Sequence, residues 1–307
     1  MNRLIRIVTP LLAVVWLCAP NAFAQNAAPD PRASELRVKL AKSLQQTAAE
    51  FDGVMGIAVK DLASGETFFA NADMVFPQAS SIKIPILIEL LRQDQAGMVK
   101  LDERVEVTKA GMAGGSGVLN FFSDGGSALS LRDLATLMIV LSDNSATNII
   151  IHRVAMENVN TMLRRAGLSQ TRLQRIMMDA DAQRAGRENL STPREMVALL
   201  EMLDGGRLLD AKHSQLALEI LKYPKNTSLR AGVPPGIAVA NKPGGISGVN
   251  CDSGIVYLPN RPYAISVMTT YNRGSDAAAE AITAVSRKTF EYFERLARSN
   301  ATGARLP

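Results

Sequence analysis

The segment QASSIKIPI, residues 78–86, places Ser80 three positions ahead of Lys83 at the head of an apolar run. On a helix, positions i and i+3 are neighbours, so the Ser80 hydroxyl and the Lys83 amine can share a proton. A serine hydroxyl is a weak nucleophile until a base takes that proton. The plainer reading makes Ser80 the cap of the helix that follows, but a cap has no need of a lysine one turn on. Ser80 and Lys83 form the one Ser-x-x-Lys in the chain, and four residues with two free positions are a weak pattern by themselves.

Two more groups bear on it. Ser142-Asp143-Asn144 lies in LSDNSATN, at the break between two helical patterns. Lys242-Pro243-Gly244 lies in NKPGG, within a strand pattern, and Gly245 after it offers a backbone N–H that no side chain shields from a ligand. Separately, the first group reads as a helix-cap cluster and the second as a turn. Those readings leave the presence of all three groups in one chain unexplained. The two histidines, His152 and His213, each fall inside a helix-like segment and read as surface or core residues, not as metal ligands or bases. A serine enzyme built on this chain therefore takes its base from another residue type, and neither a metal nor a cofactor is expected.

The elements that must position these residues follow from periodicity. Ser34–Phe51 has Leu36, Leu40 and Leu44 on one stripe, an amphipathic helix. VMGIAVKDLASGETFFANA then gives two strand-like runs about the turn ASGE, a hairpin. Helical patterns follow over 81–96, 131–141, 145–166, 193–203 and 212–223, interrupted by GMAGGSGVLNFFSDGGS and QRIMMDADAQRAGREN. Strand patterns return in GIAVANKPGG, VNCDSGIVYL and YAISVMTTY, with PNRP as the last turn, before a final helix from about Ser275 to Arg298. Strands at both ends thus enclose a helical middle. The expected fold is α/β of the α+β kind: an antiparallel sheet flanked by helices and built from both termini, with an inserted all-helical domain. Residues 25–78 and 226–307 would form the sheet domain and 79–225 the helical one, with chemistry expected between them.

Arg3 and Arg6, the apolar run Leu11–Leu17 and Ala22-Phe23-Ala24 have the form of a signal peptide over residues 1–24. Export to the periplasm or medium is expected, with no membrane attachment once the leader is cut. The bulky Trp16 and Leu17 argue against lipid attachment at Cys18. Formal net charge is +5 over 307 residues, without a long Lys/Arg run that would mark a nucleic-acid surface. Cys251 is the only other cysteine, so stability must come from the core and not from an internal disulfide. The expected partner is a small molecule, and the expected state a monomer.

Ser-x-x-Lys, Ser-Asp-Asn and a Lys-Thr-Gly-like triplet in this order are the motif set of class A β-lactamases and penicillin-binding proteins. From about residue 35 to about 298 the chain resembles the class A β-lactamase family, in these motifs and in FPQASSIKIPI, LRDLATLMIVLSDNSATNII and STPREMVALL. The resemblance implies a serine hydrolase that opens a β-lactam, or a related amide or ester, through an acyl-enzyme. Ser80 would attack and Lys83, neutral part of the time, would accept its proton. Ser142 would pass that proton to the leaving nitrogen. Ser80 and Gly245 would offer N–H groups to the oxyanion, Asn144 would hold the acyl side-chain amide, and Lys242, with Gly244 beside it, would attract a substrate carboxylate.

Two departures stand out. TRLQRIMMDAD, residues 171–181, puts Arg175 at the family's arginine but Met177 where its water-activating glutamate stands. A thioether is no base, so either Asp179, Asp181 or Glu188 substitutes or deacylation is slow. Pro243 replaces a hydroxyl residue and offers neither O–H nor N–H to a carboxylate. GGSGVLN also lacks the aromatic that often walls the entrance. The same resemblance leaves open a penicillin-binding protein that stays acylated, or an amidase, D,D-peptidase or esterase of this fold.

Overall fold

The computed structural model describes residues 31–300 and 302–306. The leader expected over 1–24, with Cys18, lies outside the described residues. Helix α1 spans Pro31–Glu50, three residues earlier than the pattern suggested, and turns Leu40, Leu44 and Ala48 inward. Strands β1 (Val54–Asp61) and β2 (Thr67–Ala70) form the expected hairpin, with Ile57 opposite Ala70. A two-residue strand, β3 (Phe76–Pro77), leads into a 3₁₀ turn, Ala79–Ile82, and then α2 (Lys83–Gln95). Helix α2 buries Ile84, Ile86, Leu87, Ile88, Leu90 and Leu91 together with Lys83, Glu89 and Gln93, so it is enclosed on most sides and runs through the helical region.

Around it come β4 (Arg104–Glu106) paired with β5 (Ala128–Ser130), and then α3 (Leu131–Val140). The single helix expected over 145–166 is two, α4 (Asn144–Val154) and α5 (Met156–Arg165). The break is at Ala155, whose φ is +64°. There the Val154 carbonyl is taken by the side-chain amides of Gln93 and Asn158 at 2.7 and 2.8 Å, which replace the next turn of helix. A short α6 (Ala180–Arg184) and β6 (Leu190–Ser191) follow, and β6 pairs with β3, Phe76 opposite Ser191. The loop carrying Met177 is thereby tied to the segment that carries Ser80. Helices α7 (Pro193–Asp204), α8 (Ala211–Lys222) and α9 (Ser228–Ala231) complete the middle, started by caps from Thr192, Asp210 and Thr227.

Strands β7 (Val239–Ile246), β8 (Val249–Val256) and β9 (Tyr263–Thr270) join the first hairpin, and α10 (Ser275–Ala297) closes the chain. The sheet is antiparallel throughout, in the order β2-β1-β9-β8-β7. Alternation sorts its two faces. Ile57, Val59, Tyr263, Ile265 and Val267 pack with Leu44 of α1 and Phe293 of α10. Ala58, Ala264, Met268, Ala240 and Ile255 face the helical middle, where α7 lies against β1 and β9.

Strand β7 is an edge, which is where a proline can sit without breaking a ladder. Its free side borders the 3₁₀ turn of Ser80. A Cβ on Gly244 would stand 2.5 Å from the Gln78 carbonyl oxygen and 2.8 Å from the Ser80 nitrogen, both backbone atoms that cannot step aside. A Cβ on Gly245 would meet nothing nearer than 3.8 Å. Gly244→Ala is therefore expected to destabilise the protein by about 1–3 kcal/mol, the usual cost of overpacking, with Gly245→Ala near neutral. Denaturant midpoints of the two variants measure the difference.

Candidate active site

Ser80 does not cap a helix. Neither the 3₁₀ turn nor α2 has a side-chain cap at its start, and the Ser80 hydroxyl instead accepts a hydrogen bond from Ser142 Oγ at 2.9 Å. The turn is held from behind: Ser81 Oγ donates to the Lys242 carbonyl at 3.0 Å, and the Cys251 thiol to the Gln78 carbonyl at 2.9 Å. Ala79 holds φ +44°, so Ser80 directly follows strained backbone, as reactive residues often do. Burial pushes the Cys251 thiol up to about 11, which leaves it an inert packing group.

Lys83 is the first residue of α2 and has no exposed surface. Its Nζ donates to the Ser142 carbonyl at 2.8 Å, to Ser142 Oγ at 3.0 Å and to Asn144 Oδ1 at 3.0 Å. From the strand side, Lys242 Nζ donates to the same Ser142 hydroxyl at 3.1 Å and to the Pro243 carbonyl at 2.9 Å. Ser142 Oγ is thus the meeting point of Ser80, Lys83 and Lys242. The i, i+3 spacing suggested a direct Ser80–Lys83 contact; the geometry routes it through a third residue from another helix junction. Ser142 reaches this position with φ +54°.

Burial holds the Lys83 amine well below the ordinary lysine value of 10.5, and the positive charge of Lys242 lowers it further, while Asp143 opposes both. Burial brings Lys242 itself down to about 8 against the pull of Asp252 and Cys251. The Ser-Asp-Asn triplet divides its work. Asp143 is the cap: its carboxylate accepts from Ala146 N at 2.9 Å, and also from Val118 N and Leu119 N at 2.7 and 2.9 Å. Asn144 faces the site, with its amide donating to the Gly114 carbonyl at 2.9 Å. The Lys-Pro-Gly triplet is strand, not turn.

Ser80 opens onto a cleft of about 280 Å³, lined also by Asn144, Gly245, Met177 and Met178. Gly244 does not line it and instead backs the Ser80 nitrogen. Met177 is buried in its wall, its backbone fixed by Asn148, which accepts from Met177 N at 2.8 Å and donates to its carbonyl at 3.1 Å. None of the three carboxylates weighed as substitutes lines the cleft. Asp179 caps α6 through Ala182 N at 2.9 Å, Asp181 is exposed beside Arg184, and Glu188 is held by Arg175 at 2.8 Å. Arg175, Gln183 and Asn189 also line it. Sequence reasoning gave these last two no role, because Asn189 and Gln183 arrive from a loop without periodicity. The histidines stay out of the site: His152 is exposed, and His213 is buried between Asp210 at 2.7 Å and Asp94 at 3.0 Å. Among the described residues no cluster of His, Cys, Asp and Glu could hold a metal.

The chain that carries this arrangement is similar in sequence and fold to known proteins. The model of the β-lactamase enzyme family matches residues 39–293. An imipenem-hydrolyzing β-lactamase of Enterobacter cloacae is 30% identical over 249 residues, covering 78% of this chain and 84% of the relative. Among solved structures, an ancestral class A β-lactamase is 28% identical with a TM-score of 0.77, covering 83% of this chain and 100% of that one. A mutant of PBP-A solved as its acyl-enzyme complex with penicillin G is 29% identical, also with a TM-score of 0.77, covering 84% and 97%. The chain belongs to the β-lactamase enzyme family and has the class A fold.

The two lysines set a pH dependence. The neutral, base form of Lys83 grows as pH rises through its lowered value, so acylation of Ser80 should climb as pH rises, and do so well before an ordinary lysine would titrate. Removing the Lys242 charge takes away one of the two causes of that lowering. Lys242→Gln should therefore move the ascending limb to higher pH, besides weakening attraction of an anionic substrate. Stopped-flow acylation rates between about pH 5 and 10 check the direction of the shift.

Proposed function

We propose that the protein is an exported serine hydrolase that opens β-lactams through an acyl-enzyme on Ser80, with Lys83 as base, and releases the product slowly. The observation that carries this reading is the Ser142 hydroxyl, in hydrogen-bond contact with Ser80, Lys83 and Lys242 at once. As Ser80 Oγ bonds to the lactam carbonyl carbon, its proton passes to Ser142 while the Ser142 proton passes to Lys83. Lys83 then returns a proton to Ser142, and Ser142 gives its own to the ring nitrogen as the C–N bond breaks. Backbone N–H groups of Ser80 and Gly245 receive the oxyanion. Lys242 attracts the substrate carboxylate without the hydroxyl that Pro243 fails to supply, and Asn144 holds the side-chain amide of the acyl group.

The family and its relatives support β-lactam chemistry: one relative is named for hydrolysing imipenem, and a neighbouring fold was captured acylated by penicillin G. Release of the acyl group needs a water and a base. With Met177 in the wall and Asp179, Asp181 and Glu188 engaged elsewhere, the water finds none, which favours a long-lived adduct of the penicillin-binding kind. A site complete within one chain suits a monomer. The sheet domain (25–78 with 226–307) supplies Lys242 and Gly245, and the helical domain (79–225) supplies the rest. The A-x-A leader supports export, and no described helix is long and apolar enough to cross a membrane.

Intact mass after mixing with a penicillin, followed in time, tests the reading. A mass increase equal to one penicillin should appear, persist, and be absent in Ser80→Ala; labelling that survives this change would refute the assignment. Lys83→Arg should acylate about 10²–10⁴-fold more slowly, because a guanidinium stays protonated. Met177→Glu should shorten the adduct's life. Burial raises a carboxyl's pKa, so the gain should be larger at higher pH. Rapid turnover by the wild type, with no burst, would contradict slow release.

A further inference from the structure

One wall of the cleft has no part in the proton path. Met178 is 57% exposed and holds φ +63°, a left-handed backbone in which a bulky residue is an outlier that only its surroundings can impose. Across the cleft stands Gly115, where a Cβ would lie 3.1 Å from Met178 Sδ and 2.9 Å from Asn144 Nδ2. The thioether of Met178 therefore lies against the loop of Gly115, near the Asn144 amide, in space that any side chain at 115 would fill. Met177, which is buried, and Ile246 from β7 supply further apolar surface. No aromatic ring lines this cleft.

We propose that Met178 determines specificity: with Met177 it forms a thioether-walled slot that receives an aromatic acyl side chain, while Asn144 beside it meets the amide that joins that side chain to the lactam. The proposal rests on acylation of Ser80 as read above. A thioether suits the role because it is flexible, polarisable and favourable against the edge of an aromatic ring. Glycine would relieve the left-handed backbone at 178, so methionine there is set against local stability and placed for what its side chain touches.

The test compares benzylpenicillin with 6-aminopenicillanic acid, which carries the same lactam and no acyl side chain. Second-order acylation rates come from intact mass for the wild type, Met178→Gly and Met178→Leu. Glycine fits the native backbone, so Met178→Gly is expected to fold with an unchanged or higher Tm. The ratio of the benzylpenicillin rate to the 6-aminopenicillanic acid rate should fall about three- to tenfold in Met178→Gly, with Met178→Leu in between. An unchanged ratio, with both compounds still forming adducts, overturns the proposal alone. Absence of any wild-type adduct with either compound overturns the acylation reading and this proposal with it.

Discussion

Lys83 brings an ammonium group into a place without water, and the way its charge is met shapes the site. Removing a charge from water costs several kcal/mol unless partners replace the solvent. The chain could have met Lys83 with a carboxylate. It offers three neutral oxygens, two from Ser142 and one from Asn144. Asp143 is adjacent, but its oxygens are committed to the backbone N–H groups of Val118, Leu119 and Ala146. An ion pair would lock the proton onto Lys83. Neutral acceptors, with a second lysine on the far side of the same hydroxyl, leave it able to come and go.

Much local distortion follows from that arrangement. Ser142 must turn both its carbonyl and its hydroxyl toward one amine, and it does so from a left-handed backbone at the start of α4. Lys242 must approach from the sheet, so β7 is pressed against the turn of Ser80 closely enough that only glycine fits at 244. Ser81 and Cys251 fasten the two together from behind. The strain is confined to a few residues, while the sheet and α2 behind them are regular and closely packed, the usual division between a rigid scaffold and a strained site.

The sheet was legible in the sequence because its strands alternate strictly between two buried faces, as Ile57, Ala58 and Val59 do, and its hairpins carry ordinary turn signals. The helical middle was legible except where side chains from afar intervene: nothing in the local pattern of 145–166 announces that Gln93 ends α4. The candidate site residues were picked out by type and order, and the geometry moves two of them: Gly244 backs the Ser80 nitrogen, and Ser142 stands between Ser80 and Lys83. The long loop of 171–190 resisted reading because its course is set by β3–β6 pairing and by Asn148 and Asn189, contacts without periodicity. That loop also carries Met177, so the proposed handling of water rests on a segment where sequence pattern says least.

The central claim is that Lys83 is a buried amine with low proton affinity. Carbon-13 labelling of lysine Cε, with Lys83→Arg to assign the signal, measures it in the otherwise intact protein. The account predicts one resonance, missing from that variant, whose titration midpoint lies well below 10.5. A Lys83 signal that titrates with the exposed lysines would contradict it, and would leave Ser80 without the base on which the rest of the chemistry depends.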